Sequence, residues 1–575
     1  MVALTIDNLA VEVPEGSTIL EAARSVGIHI PSLCTLPEMH HSPGACRICV
    51  VEVERARSLV ASCVYPVANG MKVKTNSRRV REARERVMEF MLSDHPRDCN
   101  ICQKHGNCEL QQVAEQVGTR DITVPCTDFT IHDIDDSSDA LVRDASKCIN
   151  CLRCVTACAE VQGVFLLTPE GRGFDSRVVP AMGHNLNDSA CTFCGQCAVV
   201  CPTGAIVEKD HTDLVWAALE DPTKHVVVQE APAIRAQLGE EFGLPPGTLV
   251  TGKMITALRR LGFDRVFDTN FTADLTIIEE GNELLHRAKT GGKLPMITSC
   301  SPGWIKFIEH FYPDLLPHVS TCKSPQQMFG ALAKTYYAEK EGIDPANIFV
   351  VSIMPCTAKK FEAARPEMRS SGYRDVDVVL TTRELGRMLR QAGIDLAALP
   401  EGDYDAPMGQ YSGAATIFGA TGGVMEAALR TVYAVVTGKN LPSLDITAVR
   451  GLDGIKEAAL VIGDLGEVRA AVAHGLGNAR KLMDRVAAGQ ADYHFIEIMA
   501  CPGGCVGGGG QPLPASDEKR RLRAGALYQD DSDVQSLRQS HENPSIKTLY
   551  DDFLKAPLGE KSHHLLHTHY TPREV

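Results

Sequence analysis

The sequence predicts a multidomain α+β protein, and three observations support this fold class. Residues 1–78 alternate apolar and polar positions around one helical stretch, which indicates a small β-rich domain. Two dense cysteine runs lie between residues 140 and 210, and from residue 211 onward strand-like runs of β-branched residues alternate with amphipathic helical segments. The 575 residues are too many for one hydrophobic core, and length alone suggests roughly four domains.

Composition and charge exclude several classes of protein. The net charge of −14 argues against general nucleic-acid binding, and no stretch approaches the roughly 20 uncharged apolar residues of a membrane-spanning helix. The first residues, MVALTIDNLAVEVPEG, lack the basic segment followed by an apolar segment that marks a secretory signal. We therefore expect a cytoplasmic protein that binds neither nucleic acid nor a membrane.

The chain contains 21 cysteines, and most of them are clustered. Disulfide frameworks are typical of small exported domains, whereas this chain is large and carries no recognisable export signal. In a reducing cytosol, thiolates separated by two or three residues are far more often metal ligands. The clusters therefore predict metal centres.

The first predicted domain, residues 1–78, contains one helical segment, STILEAARSVG, for which Ser17 is the expected N-cap. A CxxC pair with two distant cysteines in so small a β-rich domain suits a [2Fe–2S] cluster held by four thiolates. A structural zinc site would use the same ligands. The candidate ligands are Cys34, Cys46, Cys49 and Cys63.

The second predicted domain, residues 79–139, begins with the helical run RRVREARERVMEFMLSDH. Its apolar residues recur at helical spacing, and we interpret this stripe as core packing rather than as a functional surface. The members of the stripe are Val80, Val87, Met88 and Met91.

The segment HPRDCNICQKHGNC follows this helix and predicts a second metal site. Three cysteines cannot complete four-coordination, and His95 lies one turn before the first of them. His95 is therefore expected to fill the vacancy in a [4Fe–4S] site, with His105 in the same loop as a weaker competitor. The predicted ligands are His95, Cys99, Cys102 and Cys108.

The third predicted domain, residues 140–210, carries the most specific motif. CINCLRCVTAC and CTFCGQCAVVCP both have the spacing C-x2-C-x2-C-x3-C of two-cluster ferredoxins, in which the fourth cysteine of each run ligates the other cluster. One [4Fe–4S] cluster is therefore assigned to Cys148, Cys151, Cys154 and Cys201. The other is assigned to Cys191, Cys194, Cys197 and Cys158.

These sets use fifteen cysteines and one histidine for one [2Fe–2S] and three [4Fe–4S] clusters. Four clusters in sequence predict an electron-transfer chain. From residue 211 the pattern changes to βα units, which indicates α/β lobes. A polar helical stretch from Glu518 ends in the His-rich segment HHLLHTHY, which we expect to be an exposed, solvated tail.

Three later segments, TSCSPGW, MPCTAKKFE and EIMACPGGCVGGGGQP, resemble the signature segments of the [FeFe]-hydrogenase family. The similarity runs the whole chain and is greatest to the multi-cluster members. It implies reversible oxidation of H2 and reduction of protons. It also implies a β-grasp [2Fe–2S] domain, a small helical His/Cys3 domain, a two-cluster ferredoxin domain and, over residues 211–575, a two-lobed α/β domain with a small-subunit-like tail that holds the H-cluster.

The family's H-cluster joins a [4Fe–4S] cubane on four cysteines to a diiron site with CO, CN and a bridging dithiolate. The resemblance assigns three cubane ligands to Cys356, Cys501 and Cys505, with Cys505 in the bridging place, and it places Lys359 beside a cyanide ligand. The residues that match the family's pocket lining are Met354, Met499, Pro232, Gln326 and Phe418.

One departure from the family affects the fourth cubane ligand. The family has two adjacent cysteines before Pro-Gly-Trp, of which the second ligates the cubane, and this chain has Cys300 followed by Ser301. A serine hydroxyl is a poor substitute for a thiolate on iron. Because Cys322 occupies a place where the family usually has alanine, we hypothesise that Cys322 supplies the missing thiolate. The alternative is that the loop shifts and Cys300 itself becomes the ligand.

The resemblance also implies a proton path through Cys300, Glu280, Ser320 and Glu283. Glu280 and Glu283 lie three residues apart on a predicted helix and hence on one face. Burial is expected to raise the pKa of both carboxyls and to favour their protonated form.

The sequence does not identify one electron partner. The sequence has no dinucleotide-binding glycine fingerprint and no flavin motif, so electrons are expected to pass to ferredoxin or to flavin- and NAD(P)-binding partner subunits. An H2-sensing hydrogenase and a non-catalytic Fe–S assembly protein that resembles hydrogenases are the alternatives. A subunit of respiratory NADH dehydrogenase would share the first domains but not the three signature segments.

Overall fold

The N-terminal domain is a five-stranded sheet crossed by one helix, in a computed structural model that describes residues 1–124 and 131–574. The strand order is β2-β1-β5-β3-β4, with β1 antiparallel to β2 and parallel to β5, the arrangement of a β-grasp domain. The elements are β1 Val2–Ile6, β2 Leu9–Val13, α1 Ile19–Ser25, β3 Val50–Val53, β4 Val60–Ala61 and β5 Lys72–Lys74.

The N-cap of α1 is Thr18, so the expectation of Ser17 is wrong by one residue. The Thr18 hydroxyl accepts a hydrogen bond from the Glu21 amide, and the Glu21 carboxylate accepts one from the Thr18 amide at 2.7 Å. This reciprocal capping box satisfies two helix-end donors. It forms because the glutamate lies three residues after Thr18, not after Ser17.

The second domain is helical and consists of α2 Arg78–Ser93 and α3 Glu109–Val117. Val80 and Met88 of the α2 stripe are fully buried, and Val87 and Met91 pack against the hydrophobic cluster that contains Met88. The interpretation of this stripe as core packing is confirmed. Cys126, which has no assigned role, lies outside the described residues.

The third domain contains two short helices, and each lies within one of the two cysteine runs. Its strands form a three-stranded sheet, β10-β7-β6, and a two-stranded hairpin, β8-β9. The elements are β6 Ile134–Asp135, β7 Leu141–Asp144, α4 Arg153–Thr156, β8 Leu167–Glu170, β9 Arg177–Pro180, α5 Gln196–Val200 and β10 Ile206–Glu208.

The fourth domain has two lobes, each built on a four-stranded sheet. The sheet of the first lobe, β12-β11-β14-β15, is entirely parallel, and apolar helices cover it. Its elements are α6 Thr212–Glu220, β11 His225–Glu230, α7 Thr251–Leu261, β12 Arg265–Asp268, α8 Thr269–Thr290, β13 Met296–Ile297, α9 Pro302–Phe311, α10 Pro325–Leu332, α11 Ala338–Glu341, β14 Ile348–Met354, α12 Ala358–Ala364, β15 Val378–Thr381 and α13 Thr382–Gln391, with β13 belonging to the second sheet.

The second sheet has the order β13-β18-β17-β16. Strands β13 and β17 run parallel to β18, and β16 pairs antiparallel with β17. The remaining elements of this lobe are α14 Gly413–Thr416, α15 Gly423–Thr437, β16 Ile455–Val461, β17 Glu467–His474, α16 Leu476–Ala487 and β18 Phe495–Met499.

The C-terminal segment consists of α17 Asp517–Gln529, α18 Pro544–Leu549 and α19 Glu560–Leu566. The expectation of an exposed His-rich tail is wrong for its central part. Leu565, Leu566 and His567 are buried, and the backbone pairs with the segment around Cys322 through the bonds Thr568 N to Thr321 O and Lys323 N to Leu566 O. These main-chain bonds are tertiary contacts that the local composition does not indicate. Within the described ranges, no helix has the length and apolar character that crossing a bilayer requires.

Candidate active site and cluster-binding sites

The central cavity of the fourth domain lies where strands of the two sheets end. The neighbouring parallel strands β11 and β14 end at one side of it, and the neighbouring parallel strands β13 and β18 end at the other. The residues that follow these strands project together, because the carboxyl ends of parallel strands meet at one sheet edge. They include Pro232, Cys300, Cys356 and Cys501.

The cavity has an almost entirely apolar lining. It brings together three predicted cubane ligands and all five predicted pocket residues. The predicted residues that line it are Cys300, Cys356, Cys501, Cys505, Lys359, Pro232, Gln326, Met354, Phe418 and Met499, and Ser301 lines it as well.

The glycine-rich turn after β18 allows close backbone approach on this side of the cavity. A Cβ added at Gly504, whose φ is +88°, would lie 2.7 Å from the Thr421 amide nitrogen. A Cβ at Gly508 would lie 2.1 Å from the Pro355 carbonyl oxygen. The turn therefore tolerates only glycine at these points, and it holds Cys501 and Cys505 against Cys356.

The cysteines of this cavity fit an iron–sulfur cofactor. Burial raises the pKa of the Cys505 thiol to about 12, and the nearby Cys356 adds to the shift while Lys359 opposes it. Burial also raises the pKa of Cys356 and Cys501. Thiols in such surroundings become thiolates when a positively charged metal compensates their charge. The cavity also contains Gln326 Oε1, which is buried without a hydrogen-bond partner in the described protein.

Lys359 is held in place by Glu362, a residue that the sequence interpretation missed. The Lys359 ammonium donates to Glu362 Oε2 at 2.9 Å and to the Cys300 carbonyl oxygen at 3.0 Å. Glu362 Oε2 also accepts hydrogen bonds from Ser324 Oγ at 2.8 Å and from Gln326 Nε2 at 3.1 Å. The i,i+3 spacing of lysine and glutamate in KKFE is the signal that indicates this pair.

The structure contradicts the assignment of Cys322 to the cubane. Cys322 is fully buried, but it is not among the residues that line the cavity. Its Sγ atom lies 3.8 Å from Glu283 Oε2 and 4.0 Å from His567 Nδ1. The cause is the backbone pairing of Cys322 with His567, which directs the side chain toward α8 and the C-terminal segment.

Cys300 and Ser301 both line the cavity, but their surroundings differ. After burial, the charge of Glu280 is the largest cause that raises the pKa of the Cys300 thiol. Ser301 Oγ accepts a hydrogen bond from the Ala500 amide at 3.2 Å, next to Cys501. The Ser301 hydroxyl is thus directed toward the cysteine-rich turn.

Three residues of the predicted proton path, Glu280, Ser320 and Glu283, lie close together. Ser320 lies beside Glu280, and its hydroxyl donates to Glu283 Oε2 at 2.9 Å. Burial raises the pKa of Glu280 to about 8, and the charge of Glu283 adds to the shift. Arg287, one turn further along α8, donates to Glu283 Oε1 at 2.6 Å. The i,i+4 spacing from Glu283 is the signal for this missed arginine.

The four cysteines of the first domain lie in one buried group. Cys34 lies next to Cys46 and Cys63, and Cys49 lies next to Cys63. Four neighbouring buried thiols suit the predicted [2Fe–2S] cluster. The domain contacts the third domain through His41, whose ring bonds the Cys151 carbonyl oxygen at 3.0 Å and the Thr156 hydroxyl at 2.8 Å.

The helical domain places its cysteines against the third domain. Cys108 donates to the Pro202 carbonyl oxygen at 3.6 Å, and the Glu109 amide donates to the same oxygen at 3.0 Å. Cys102 lies beside Gly204. His95 is partly buried near Asp98, and its role as the fourth ligand stays a prediction.

The two cysteine runs of the third domain exchange their fourth members in space, as the motif predicts. One cavity is lined by Cys148, Cys151, Cys154 and Cys201, and a separate one is lined by Cys158, Cys191, Cys194 and Cys197. Burial raises the pKa of Cys154 and of Cys197, as at the central cavity.

The second of these sites touches the central cavity directly. Cys194 lines both spaces, and Cys501 Sγ lies 3.9 Å from the Cys194 carbonyl oxygen. The Thr357 hydroxyl donates to the Phe193 carbonyl oxygen at 2.7 Å, and Gln196 Nε2 donates to the Gly507 carbonyl oxygen at 2.9 Å. The cluster sites therefore form an unbroken series that ends at the cavity.

Comparisons with known proteins agree with this arrangement over the entire chain. The chain is 53% identical over 585 aligned residues to the NADP-reducing hydrogenase subunit HndD of Solidesulfovibrio fructosivorans, with 100% of this chain and 99% of the relative covered. The chain belongs to the [FeFe]-hydrogenase family. It is also 42% identical to iron hydrogenase 1 of Clostridium pasteurianum, with 99% and 100% coverage. A solved [FeFe]-hydrogenase HydA1 from Chlamydomonas reinhardtii is 49% identical over 64% of this chain and 100% of that chain, with a TM-score of 0.57.

Five protein families match successive segments of the hydrogenase, in the same order as the sites described above. They are a 2Fe-2S iron–sulfur cluster binding domain at 1–78, the NADH-ubiquinone oxidoreductase-G iron–sulfur binding region at 84–123, a 4Fe-4S dicluster domain at 147–205, the C-terminal domain of the iron-only hydrogenase large subunit at 224–509 and the iron hydrogenase small subunit at 517–573. The protein is an iron hydrogenase whose cofactors are one [2Fe–2S] cluster, three [4Fe–4S] clusters and an H-cluster.

The position of Cys322 predicts how the cubane of this hydrogenase responds to substitution. Cys322→Ala should retain the electron paramagnetic resonance signal of the H-cluster cubane, because its sulfur is directed away from the cavity. The matched change Cys501→Ala, at a cysteine that lines the cavity, should abolish that signal. Loss of the signal in both variants would restore Cys322 as a ligand.

The raised pKa of Glu280 predicts a buried carboxylic acid at neutral pH. An infrared carbonyl band of a protonated carboxyl should be present at pH 7 and should disappear as pH rises through about 8, because the proton is then lost. Glu280→Gln should lack this band at every pH. A titration midpoint near 4.5, the ordinary value for a glutamate, would contradict the effect of burial.

Proposed function

We propose that this chain is the hydrogen-reacting subunit of a cytoplasmic complex that exchanges electrons between H2 and NADP(H) through flavin-containing partner subunits. The observation that carries the proposal is 53% identity over the full chain to a relative named as a subunit of an NADP-reducing hydrogenase. The absence of dinucleotide and flavin fingerprints from the sequence supports the need for partners.

Direct exchange with ferredoxin is the second candidate. It is favoured by the surface at the helical domain, where Cys99 and Cys102 are partly exposed and Ile101 between them is 84% exposed. A small electron carrier that docks at this surface meets the predicted His/Cys3 cluster first.

The cubane is proposed to rest on Cys356, Cys501 and Cys505, with the oxygen of Ser301 at the fourth position. Ser301 is favoured over Cys300 because its hydroxyl accepts a hydrogen bond from the Ala500 amide, next to Cys501, although a serine oxygen binds iron less readily than a thiolate does. When bound, the H-cluster supplies the heterolytic cleavage and formation of H2. Met354, Met499 and Phe418 exclude water from this space.

Protons are proposed to move between the cavity and the surface along Cys300, Glu280, Ser320 and Glu283. A thiol, a carboxyl group with a pKa of about 8 and a hydroxyl each accept and donate a proton near neutral pH. Glu283 forms the outer end of this path, where Arg287 fixes its orientation.

Electrons are proposed to enter at either N-terminal site and to meet at the cluster of Cys148, Cys151, Cys154 and Cys201. Both routes are supported by direct contacts, through His41 to Cys151 and through Cys108 and Glu109 to Pro202. The next cluster, on Cys191, Cys194, Cys197 and Cys158, adjoins the H-cluster cavity.

Purification of the native protein from its own cells under strict anaerobiosis tests the proposed complex. We expect co-purifying flavin-containing subunits and H2-dependent reduction of NADP⁺. A complex that carries Cys501→Ala should keep the same subunits and lose H2-dependent reduction.

Two outcomes would overturn the NADP-linked complex. A flavin-free protein that reduces ferredoxin with H2 would favour the second candidate. A protein that binds H2 but turns over negligibly would favour a sensor.

A further inference from the structure

Three buried side chains from different parts of the chain converge beside the proton path. They are Glu283 of α8, Cys322 before α10 and His567 after α19. The Glu283 carboxylate oxygen, Cys322 Sγ and His567 Nδ1 all lie within 4.8 Å of one another. The sulfur lies 3.8 Å from Glu283 Oε2 and 4.0 Å from His567 Nδ1. A tetrahedral zinc ion separates sulfur and nitrogen ligands by about 3.6 Å, so small side-chain movements complete such a site.

The histidine is oriented as metal-binding histidines are. His567 Nε2 lies 3.2 Å from Glu279 Oε2, and a proton on Nε2 leaves Nδ1 with a lone pair that can bind a metal. That lone pair accepts from the Thr321 hydroxyl at 2.8 Å. Glu279 is itself fixed by Tyr550, Ser562 and the Leu558 amide. In zinc sites, a carboxylate that accepts a hydrogen bond from the second ring nitrogen fixes the tautomer of the ligating imidazole.

The charges around Glu283, Cys322 and His567 favour a divalent cation. Burial raises the pKa of Cys322, and the nearby glutamates add to the shift, so the thiol stays protonated in the absence of a cation. When a cation binds, the thiol releases its proton to solvent and becomes a ligand. Two carboxylates and one thiolate then carry three negative charges against one positive charge on Arg287, and a divalent cation leaves the group neutral.

We propose that Glu283, Cys322 and His567 bind Zn²⁺ at a regulatory site distinct from the iron–sulfur sites. One thiolate, one imidazole and one carboxylate form a ligand set that zinc uses, with water in the fourth position. His563, whose ring is exposed and stacks on that of His567 at 4.8 Å, marks the side from which the ion enters.

Zinc at this site stops proton exchange at the outer end of the relay. Ser320 donates to the same oxygen of Glu283 that the ion would occupy, so a bound ion removes the acceptor of that proton. Turnover then falls, while the cluster chain and the cavity lining keep their ligands. This consequence rests on the proposed proton path, whereas the binding of zinc does not.

Zinc X-ray absorption of the anaerobic holoenzyme, loaded with one equivalent of Zn²⁺ and desalted, tests the binding site. Iron does not interfere at the zinc edge. The site predicts one sulfur at about 2.3 Å and nitrogen or oxygen ligands at about 2.0–2.2 Å. Cys322→Ser, which keeps the side-chain size, should lose the sulfur shell and bind at least about tenfold more weakly.

Matched controls separate this site from the other thiols and histidines. His564→Ala, at an exposed residue of the same helix, should leave the zinc spectrum unchanged. A shell of three or four sulfurs would indicate capture by cluster cysteines, and a shell without sulfur would indicate the outer histidines. Either result, or an unchanged sulfur shell in Cys322→Ser, would overturn the site.

Inhibition of H2 evolution by zinc, measured with a reduced chemical donor, tests the regulatory consequence. Inhibition of the parent enzyme and of His564→Ala, with at least about tenfold weaker inhibition of Cys322→Ser, is the expected result. The infrared bands of the H-cluster in each variant verify that the active site is assembled. The one-sulfur zinc spectrum without inhibition would overturn the regulatory role and count against Glu283 as part of the relay.

Discussion

Burial of cysteine thiols in apolar surroundings is the constraint on which the rest of this structure depends. At the central cavity and in the third domain, burial raises the pKa of thiols such as Cys505, Cys154 and Cys197. Apolar packing alone does not stabilise thiolates in these places, but iron does, because its positive charge compensates theirs. Folding of these segments is therefore coupled to the loading of their clusters.

The same constraint explains why the domains are joined as they are. Contacts between neighbouring domains are made by the predicted ligands themselves. The His41 ring bonds the Cys151 carbonyl oxygen, and Cys501 Sγ lies 3.9 Å from the Cys194 carbonyl oxygen. These contacts are too close for a domain to rotate without disturbing a ligand loop. A continuous series of sites results, and it ends at an apolar cavity.

Local spacing predicted the features that depend on local geometry. The crossed ligand sets of the third domain follow from two copies of one motif, and the strands that lead to Cys356 and Cys300 follow from runs of β-branched residues. The antiparallel pair β16 and β17 was missed because its residues, rich in alanine and charge, lack a clear alternating pattern.

The sequence did not predict the features that depend on contacts between residues far apart in the chain. The direction of Cys322 is set by a backbone bridge to His567, which lies 245 residues away. The same bridge buries part of a tail whose composition suggested exposure. Glu279, a neighbour of the predicted Glu280 on α8, holds that tail through Ser562 and His567, and no local motif marks this role.

Infrared spectroscopy of the anaerobically purified protein tests the central claim most directly, because no amino acid absorbs where metal-bound carbonyl and cyanide do. We expect both sets of bands, with reversible shifts between H2 and an oxidant and with loss of the bands in Cys505→Ala. A protein with all four accessory clusters but without carbonyl and cyanide bands would contradict this claim, and would indicate an iron–sulfur protein that keeps the hydrogenase fold without its active site.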